Sequence, residues 1–580
     1  MEIFKYYTVQ LYIMVFLRYN INKGIKYWYF AEEYYENGKH KQRCVLWIGN
    51  TQKLYQLLTK TSINLEDIKI TQVQNYGEIL ALHKIFSEFD LVQKINDLMP
   101  KARGNGVDVG NLTEIMVINA LVAQKRKNGI KKWYEETILP KLLGIRPEQL
   151  YSQLFCRALD YFTKEKIEIL EKQITSYLQE RYKFEIKKAF YDITSVYFEG
   201  DKCPIAEFGY SRDGKLHKKQ IVVGLVLISN KKFPILYKIY KGNTADVSTT
   251  KEVMEQLNQM YKIQDVVMIF DRGMISDKVR LQFHEMNIRY ISALDGDSKE
   301  AKDLILSTPR RAMRALTLKN GRKVFVKRHI GSIKSLREKF RIKHTKRKEN
   351  KELDEIEFLY LVGKSPEISK IKKDAHYEAV SSALKSLKQF QDELDKKGSS
   401  LNKKGRPIDI DRRIKQILHG VSQYFKCNWE KIGNNIKINI RFNNKNLRIA
   451  RKIKGKFVLC ASDSTLTNRE ILQGYIDKYQ IEQVFRFLKS DVKVRPFWHR
   501  KPNRIIAYFF ISYLAYLLKS IIDYRIKMSK LKLTFRDVID ELSKLKIVTI
   551  AVGNRKIEKL RTITETQQKI FKSLKVNIVN

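Results

Sequence analysis

From Gly24 to Trp47, aromatic and β-branched residues alternate with polar ones around Glu36-Asn37-Gly38-Lys39. An Asn-Gly pair between apolar runs predicts a β-hairpin. From about Ile79 to Lys183 the period lengthens to that of a helix, as in Leu112, Ile115, Met116 and Asn119, with Pro140 and Pro147 as breaks. Beyond Lys187 the rhythm changes again. Ala189 to Phe198, Gln220 to Ser229 and Pro234 to Tyr240 read as strands, followed by a helix from Thr249 to Tyr261 and a strand from Val266 to Phe270. A helix opened by Ser276 and a strand from Arg289 to Leu294 complete the run.

Three strands, a helix and a further strand, with an acid on the first strand and another at the end of the fourth, is the order of a ribonuclease-H-like α/β core. From about Lys299 to Gly455 this order breaks down into basic, partly helical sequence that includes Arg341 to Lys351, with a β-hairpin expected from Ile436 to Ile449. The α/β pattern resumes with a strand from Phe457 to Ala461 and a helix that carries Glu482. The expected layout is a small β region over 1–78, a helical DNA-binding domain over 79–186, a catalytic core in two parts over 187–298 and 456–524, an insertion over 299–455, and a basic helical tail over 525–580.

With 43% hydrophobic and 11% aromatic residues in 580, the chain has apolar material for two to four packed domains. Against 63 acidic residues stand 111 Lys and Arg, a formal net charge of +48. A bias towards Lys explains which cation is used but not the deficit of acids, so the charge points to a polyanionic partner. Cys44, Cys156, Cys203, Cys427 and Cys460 form no C-x-x-C pair, which argues against a zinc module or a disulfide framework and suits a reducing cytoplasm. The apolar run from Ile505 to Leu518 is too short to span a bilayer and reads as a buried helix, so no membrane partner is expected. Val9 to Leu17 is apolar but lacks a cleavage site, and Met14 is an alternative start.

Three acids stand out. Asp192 lies mid-strand in Tyr191-Asp-Ile-Thr-Ser195, where an acid needs a reason beyond solvent exposure. Asp271 directly follows an apolar strand and precedes Arg272-Gly273, placing it at the carboxyl edge of a sheet, where open α/β sheets bind ligands. Glu482 follows the capping box Thr467-Asn-Arg-Glu470, which marks a helix start. At about 100° per residue, Tyr475, Lys478, Glu482 and Lys489 fall within a sector of roughly 60°, whereas Ile481, Val484 and Leu488 face elsewhere. Three carboxylates suit phosphoryl transfer, because two divalent ions about 4 Å apart need hard oxygen ligands. Lys478 and Lys489 would hold phosphates as point charges, with Tyr475 stacking or hydrogen-bonding beside them.

Tyr475, Lys478, Glu482 and Lys489 also match the spacing of a Tyr, Arg, Glu, Lys signature, and on these residues the chain resembles a bacterial insertion-sequence transposase of the DDE class, in the cut-and-paste group with that signature. Lys478 departs from it, retaining charge but losing the bidentate geometry of Arg. Asp192-Ile-Thr-Ser195, Gly209-Tyr-Ser-Arg212, Gly242-Asn-Thr-Ala-Asp246, Asp271-Arg-Gly-Met274, Gln480-Ile-Glu-Gln-Val-Phe-Arg-Phe-Leu-Lys-Ser490 and Arg495-Pro-Phe-Trp-His-Arg500 add to the resemblance, which runs from about Lys187 to Leu518.

The resemblance implies a ribonuclease-H-like core interrupted by an insertion, magnesium dependence with manganese as a substitute, and a homodimer assembled on double-stranded DNA. The DNA would comprise paired terminal inverted repeats and a target. Asp192, Asp271 and Glu482 are then the catalytic and metal-holding residues, and Tyr475, Lys478, Lys489 and Arg272 contact DNA. Some members of the group stack a flipped base on an aromatic side chain. Trp429 and Trp498 are candidates for that role, with core packing as the simpler account of each. The competing readings are a catalytically defective protein that only occupies transposon ends, and an Asp-based phosphatase or general nuclease.

Overall fold

The computed structural model describes residues 15–578 except 37–38, 61–67, 100–105, 201, 229–230, 245, 262–265, 273, 333–356, 398–408, 434, 496, 498 and 553–554. The chain divides into two compact units, one comprising 1–182, 199–204 and 486–580 and the other 183–198 and 205–485.

In the first unit β1 (Val15–Asn22), β2 (Ile25–Glu36) and β3 (Lys39–Asn50) form an antiparallel sheet in which Glu36 pairs with Lys39. The expected hairpin is therefore present with one additional strand, and its turn residues Asn37 and Gly38 lie outside the described residues. A fourth strand, β4 (Ile68–Asn75), precedes a helical region from Gly77–Ser87 to Lys164–Tyr182. The apolar run at Ile505 lies within a 27-residue helix, Pro502–Met528, long and apolar enough by composition to cross a membrane. Here it is the unit's core: Ile505, Leu514, Leu518 and Ile522 are fully buried against the Val109–Val122 and Ser152–Asp160 helices. Arg525, 5% exposed, ends this packing by donating to Glu88, to the Tyr182 hydroxyl and to the Leu574 carbonyl.

The second unit is built on a nine-stranded sheet. Its strands in chain order are β5 (Lys188–Tyr197), β6 (Gln220–Ile228), β7 (Pro234–Lys241), β8 (Val267–Phe270), β9 (Tyr290–Ala293), β10 (Arg314–Thr317), β11 (Lys323–Ser332) and β12 (Glu357–Lys364), with a ninth after the insertion. The helices Asp246–Tyr261 and Asp277–Glu285 separate β7, β8 and β9 as the periodicity predicts, the second capped by the Ser276 side chain. β5 is antiparallel to β6 but parallel to β8, and β8 is parallel to β9. Buried on both faces, β6 reads as a near-continuous apolar run, whereas β5 carries Asp192, Thr194 and Ser195 among its apolar residues.

Three expectations are corrected. The segment read as an insertion is not wholly separate from the sheet, because β10, β11 and β12 extend it. Its remaining part packs a small core of its own, with Leu387, Phe390 and Leu394 of the Pro366–Lys397 helix beside Ile436 and Ile438. The hairpin expected from Ile436 to Ile449 is instead β13 (Phe425–Ile432) with β14 (Asn435–Phe442). Asn443 then caps a helix, Asn444–Ile453, by accepting from the Asn446 amide. The ninth core strand follows as β15 (Lys456–Ala461), between β12 and β9. Nor is the tail wholly helical: β16 (Lys546–Val552) and β17 (Arg555–Leu560) are strands, and β16 pairs with β4. Ile547, Val548, Thr549, Ile550 and Val552 supply the β-branched run that favours this strand.

Candidate active site

The parallel register of β5 and β8 pairs Tyr191 with Phe270, so one further step along each strand direction places Asp192 beside Asp271. Adjacent strands lie about 4.8 Å apart, which brings the two carboxylates to one edge of the sheet. Asp192 is the only interior residue of β5 that is not fully buried. Its Oδ1 accepts from the Ile193 amide at 2.8 Å. Desolvation pushes its carboxyl up to about 7; Asp271 adds to the rise, while Lys478, the Ile193 amide and Arg212 oppose it.

The third acid arrives on a helix that sequence periodicity treats as one and the structure divides into Asn468–Asp477 and Tyr479–Ser490. At the junction the Lys478 amide reaches the Tyr475 carbonyl, three residues back, and tightens the turn. The capping box is present in full: Thr467 accepts from the Glu470 amide, and Glu470 accepts from the Thr467 amide. Gly474 sets how close the helix comes to the sheet, because a Cβ there would stand 3.2 Å from Ile269 Cδ1 on β8. Ile481, Val484 and Leu488 are buried, as their spacing predicts.

This packing drives Lys478, only 5% exposed, between the acids. Its Nζ donates to Glu482 Oε1 at 3.2 Å and lies 3.3 Å from Asp271 Oδ1. Burial alone would lower the lysine pKa, but Asp192, Asp271 and Glu482 together outweigh it and raise the value. The Tyr475 hydroxyl donates to Asp271 Oδ1 at 3.4 Å. Burial and the same carboxylate push that phenol far above its ordinary range. Asp271 Oδ1 also accepts from the Arg272 amide at 2.6 Å, leaving the Arg272 side chain exposed.

Of the residues singled out in the sequence, Asp192, Asp271, Glu482, Tyr475, Lys478 and Arg272 thus come together. Lys489 is half-buried two turns beyond Glu482. Trp429, 40% exposed on β13, is not a core residue, and its Nε1 donates to Asp411 at 3.0 Å. Trp498 lies outside the described residues. Arg212 and Ser195 received no role in the sequence reading, yet the Arg212 amide donates to Ser195 Oγ at 2.9 Å and the Arg212 charge reaches Asp192. Both stand in motifs that carry the resemblance, which was the available signal.

The donor set fits a hard divalent cation. Asp271 and Glu482 already flank one positive charge, and Asp192 on the adjacent strand is a carboxyl that burial drives towards protonation unless a cation compensates it. As arranged around the ammonium, the described residues include no group of three or more His, Cys, Asp or Glu side chains close enough together to ligate a metal ion.

A family model described as "Transposase DDE domain" matches residues 186–518, more than half of the chain, and one described as "Domain of unknown function (DUF4277)" matches 68–176. None of the curated proteins matches the chain. Among solved structures, a piggyBac transposase synaptic complex with hairpin DNA is 10% identical, with 82% of each chain covered and a TM-score of 0.35. A Mos1 transposase paired-end complex with the left transposon end is 13% identical, covering 35% of this chain and 63% of that one at a TM-score of 0.14. A pre-cleavage Mos1 transpososome is 12% identical, covering 35% and 64% at the same TM-score of 0.14. Through the match over residues 186–518, the chain belongs to the family of proteins with a transposase DDE domain.

Proposed function

We propose that this protein is a DNA transposase that cuts at the ends of its mobile element and joins them to target DNA by metal-assisted phosphoryl transfer. Family membership supports DNA transposition as the activity. The observation that carries the residue assignment is the Lys478 ammonium seated between Asp271 and Glu482, with Asp192 one step beyond the residue that pairs with Phe270 on the adjacent strand. The reading places these acids in a ribonuclease-H-like core, on adjacent parallel strands and a helix, with the inserted segment between the second and third acid. It further assigns the chain to the bacterial cut-and-paste group and has it act as a homodimer on paired terminal inverted repeats.

Asp192, Asp271 and Glu482 would hold magnesium, two ions being expected and manganese a substitute, and the bound cations would supply Lewis-acid activation of the attacking oxygen and charge stabilisation of the leaving one. The chain's other groups position the DNA. Lys478 offers a point charge to a phosphate oxygen when it leaves the carboxylates, and Tyr475 holds Asp271 through its hydroxyl. Arg272 at the sheet edge and Lys489 further along the helix contact flanking phosphates. The net charge of +48 draws the duplex in.

The test is cleavage of a labelled duplex carrying the element's own flanking ends, with magnesium, by the native protein and by Asp192→Ala, Asp271→Ala and Glu482→Ala. Cutting by the native protein alone, with DNA binding kept by all three variants, is the expected result. If native and variants bind alike and none cuts, the protein is a DNA-binding occupant of transposon ends and the catalytic assignment fails.

A further inference from the structure

The Asp271 carboxylate is held through the peptide that follows it. That peptide turns its N–H inward, so that the Arg272 amide stands 2.6 Å from Asp271 Oδ1, and its carbonyl outward to the neighbouring strand. The parallel pairing of β8 with β9 covers only Met268 and Ile269, so the backbone ladder stops short of this carbonyl. A side chain takes over. Ser292 Oγ on β9 donates to the Asp271 carbonyl at 3.3 Å, the nearer of the two carbonyls it faces. Hydroxyl, peptide and carboxylate form one chain of hydrogen bonds in which each member polarises the next.

The turn beyond Asp271 is fastened at its other end as well. The Met274 amide reaches back to the Asp271 carbonyl at 3.3 Å and closes residues 271–274 into a turn. Thr250, on the helix Asp246–Tyr261, sends its Oγ1 out of that helix to the Met274 carbonyl, also at 3.3 Å. Both hydroxyls lie in the interior, Thr250 fully buried and Ser292 3% exposed. A polar group there is costly unless it is bonded, and packing alone would be served as well by Val at 250 and Ala at 292. Only the hydroxyls can hold the two carbonyls that end the turn. If the 271–272 peptide rotated, the Arg272 amide would swing away from the carboxylate, and a metal ligand tolerates a displacement of only about 0.5 Å.

We propose that Ser292 and Thr250 are positioning residues, which fix the turn 271–274 so that Asp271 presents its carboxylate in the orientation a divalent cation requires. The inference rests on the reading of Asp271 as a metal ligand. Its test is manganese binding by the full-length protein, followed through the electron paramagnetic resonance signal of the free ion. Native protein is compared with Thr250→Val, Thr250→Ser, Ser292→Ala and Asp271→Asn, with thermal melts of each in metal-free buffer. Thr250→Val and Ser292→Ala should raise the half-saturating manganese concentration by about 10-fold, whereas Thr250→Ser should stay within about twofold of native. Stability should run the other way, because Thr250→Ser leaves a methyl-sized void and Thr250→Val does not, so the serine variant should melt lower than the valine variant.

Manganese affinity as in native protein for both Thr250→Val and Ser292→Ala overturns the proposal. So does a Thr250→Ser protein that loses as much affinity as Thr250→Val, since the loss then follows packing and not the hydroxyl. Asp271→Asn keeps the two readings apart. If it loses manganese while the hydroxyl-free variants keep it, positioning by Ser292 and Thr250 falls and the metal-binding role of Asp271 stands. If Asp271→Asn binds manganese as native does, Asp271 is not a ligand and both readings fall.

Discussion

Lys478 Nζ lies 3.3 Å from Asp271 Oδ1, with the lysine almost wholly enclosed. The ammonium acts as a tethered counter-ion for carboxylates that would otherwise repel one another, and it holds the place where a divalent ion would concentrate its charge. Removing one partner of an enclosed ion pair is costly, but Asp271 and Glu482 are half-exposed and water recovers part of the loss, so Lys478→Met should cost about 1–2 kcal/mol in metal-free buffer. The folded-state lysine pKa is raised, so this contribution is complete below the ordinary lysine value and is lost only as pH climbs through the higher folded value. The destabilisation should therefore be largest at about pH 8 to 9, where Asp192 is ionised as well, and smaller towards about pH 6, where Asp192 takes up a proton, and magnesium should recover much of it. Denaturant titrations with EDTA and with magnesium measure both quantities. A Lys478→Met protein as stable as native without metal would show that the ammonium does not hold the acids together.

Asp192 has the opposite pH dependence. Its folded pKa is pushed up to about 7 from the ordinary carboxylate range, so the native state binds the proton more tightly than the unfolded chain does. Stability in metal-free buffer should then fall as pH rises from about 4 to 7 and level off above that, with a cost of about 2–4 kcal/mol once the group is ionised. Asp192→Asn removes the titration. The variant should be more stable than native at pH 8 and nearly equal at pH 4, while losing strand cleavage. Parallel stability profiles for the two proteins across that range would refute the burial argument.

How far such sites are legible in sequence differs from residue to residue. Asp192 and Asp271 were readable because an acid inside or just after a buried apolar strand is expensive and so informative. Glu482 was readable from its capping box and period. That Lys478 fills the centre was not, because it depends on the tight turn at Lys478 and on Gly474 lying against Ile269, a contact made across distant sequence. β16 was lost for the same reason: its partner β4 lies at the other end of the chain, and local pattern carries no record of pairing. β10 is largely exposed and gives no clear alternation, so the extension of the sheet through the inserted segment left little trace.

DNA affinity should carry the signature of phosphate contacts. If six to ten contacts form, roughly 10³ to 10⁵ of affinity is lost between 50 and 200 mM salt. Arg272 is exposed beside Asp271, and its backbone rather than its side chain holds the carboxylate. Arg272→Ala should therefore reduce the slope of log affinity against log salt by about one, equally for all duplex sequences, and leave stability unchanged. Salt titrations of binding for native and variant would decide this, and an unchanged slope would remove Arg272 from the DNA contacts.

The clamp at Arg525 bears on folding rather than on DNA. Its guanidinium, 5% exposed, donates to both Glu88 oxygens, to the Tyr182 hydroxyl and to the Leu574 carbonyl, so one side chain joins the Pro502–Met528 helix to three other segments of its unit. Arg525→Met strands the Glu88 carboxylate and orphans a buried carbonyl at the end of the last helix, and should destabilise the unit by about 3–5 kcal/mol. The double variant Arg525→Met, Glu88→Gln removes the stranded charge as well, so it should recover part of that loss. A thermodynamic cycle over native, both single variants and the double variant measures the coupling. A coupling near zero would mean that the pair contributes only through packing of the arginine stem, and the clamp would have to be assigned to the Leu574 carbonyl instead.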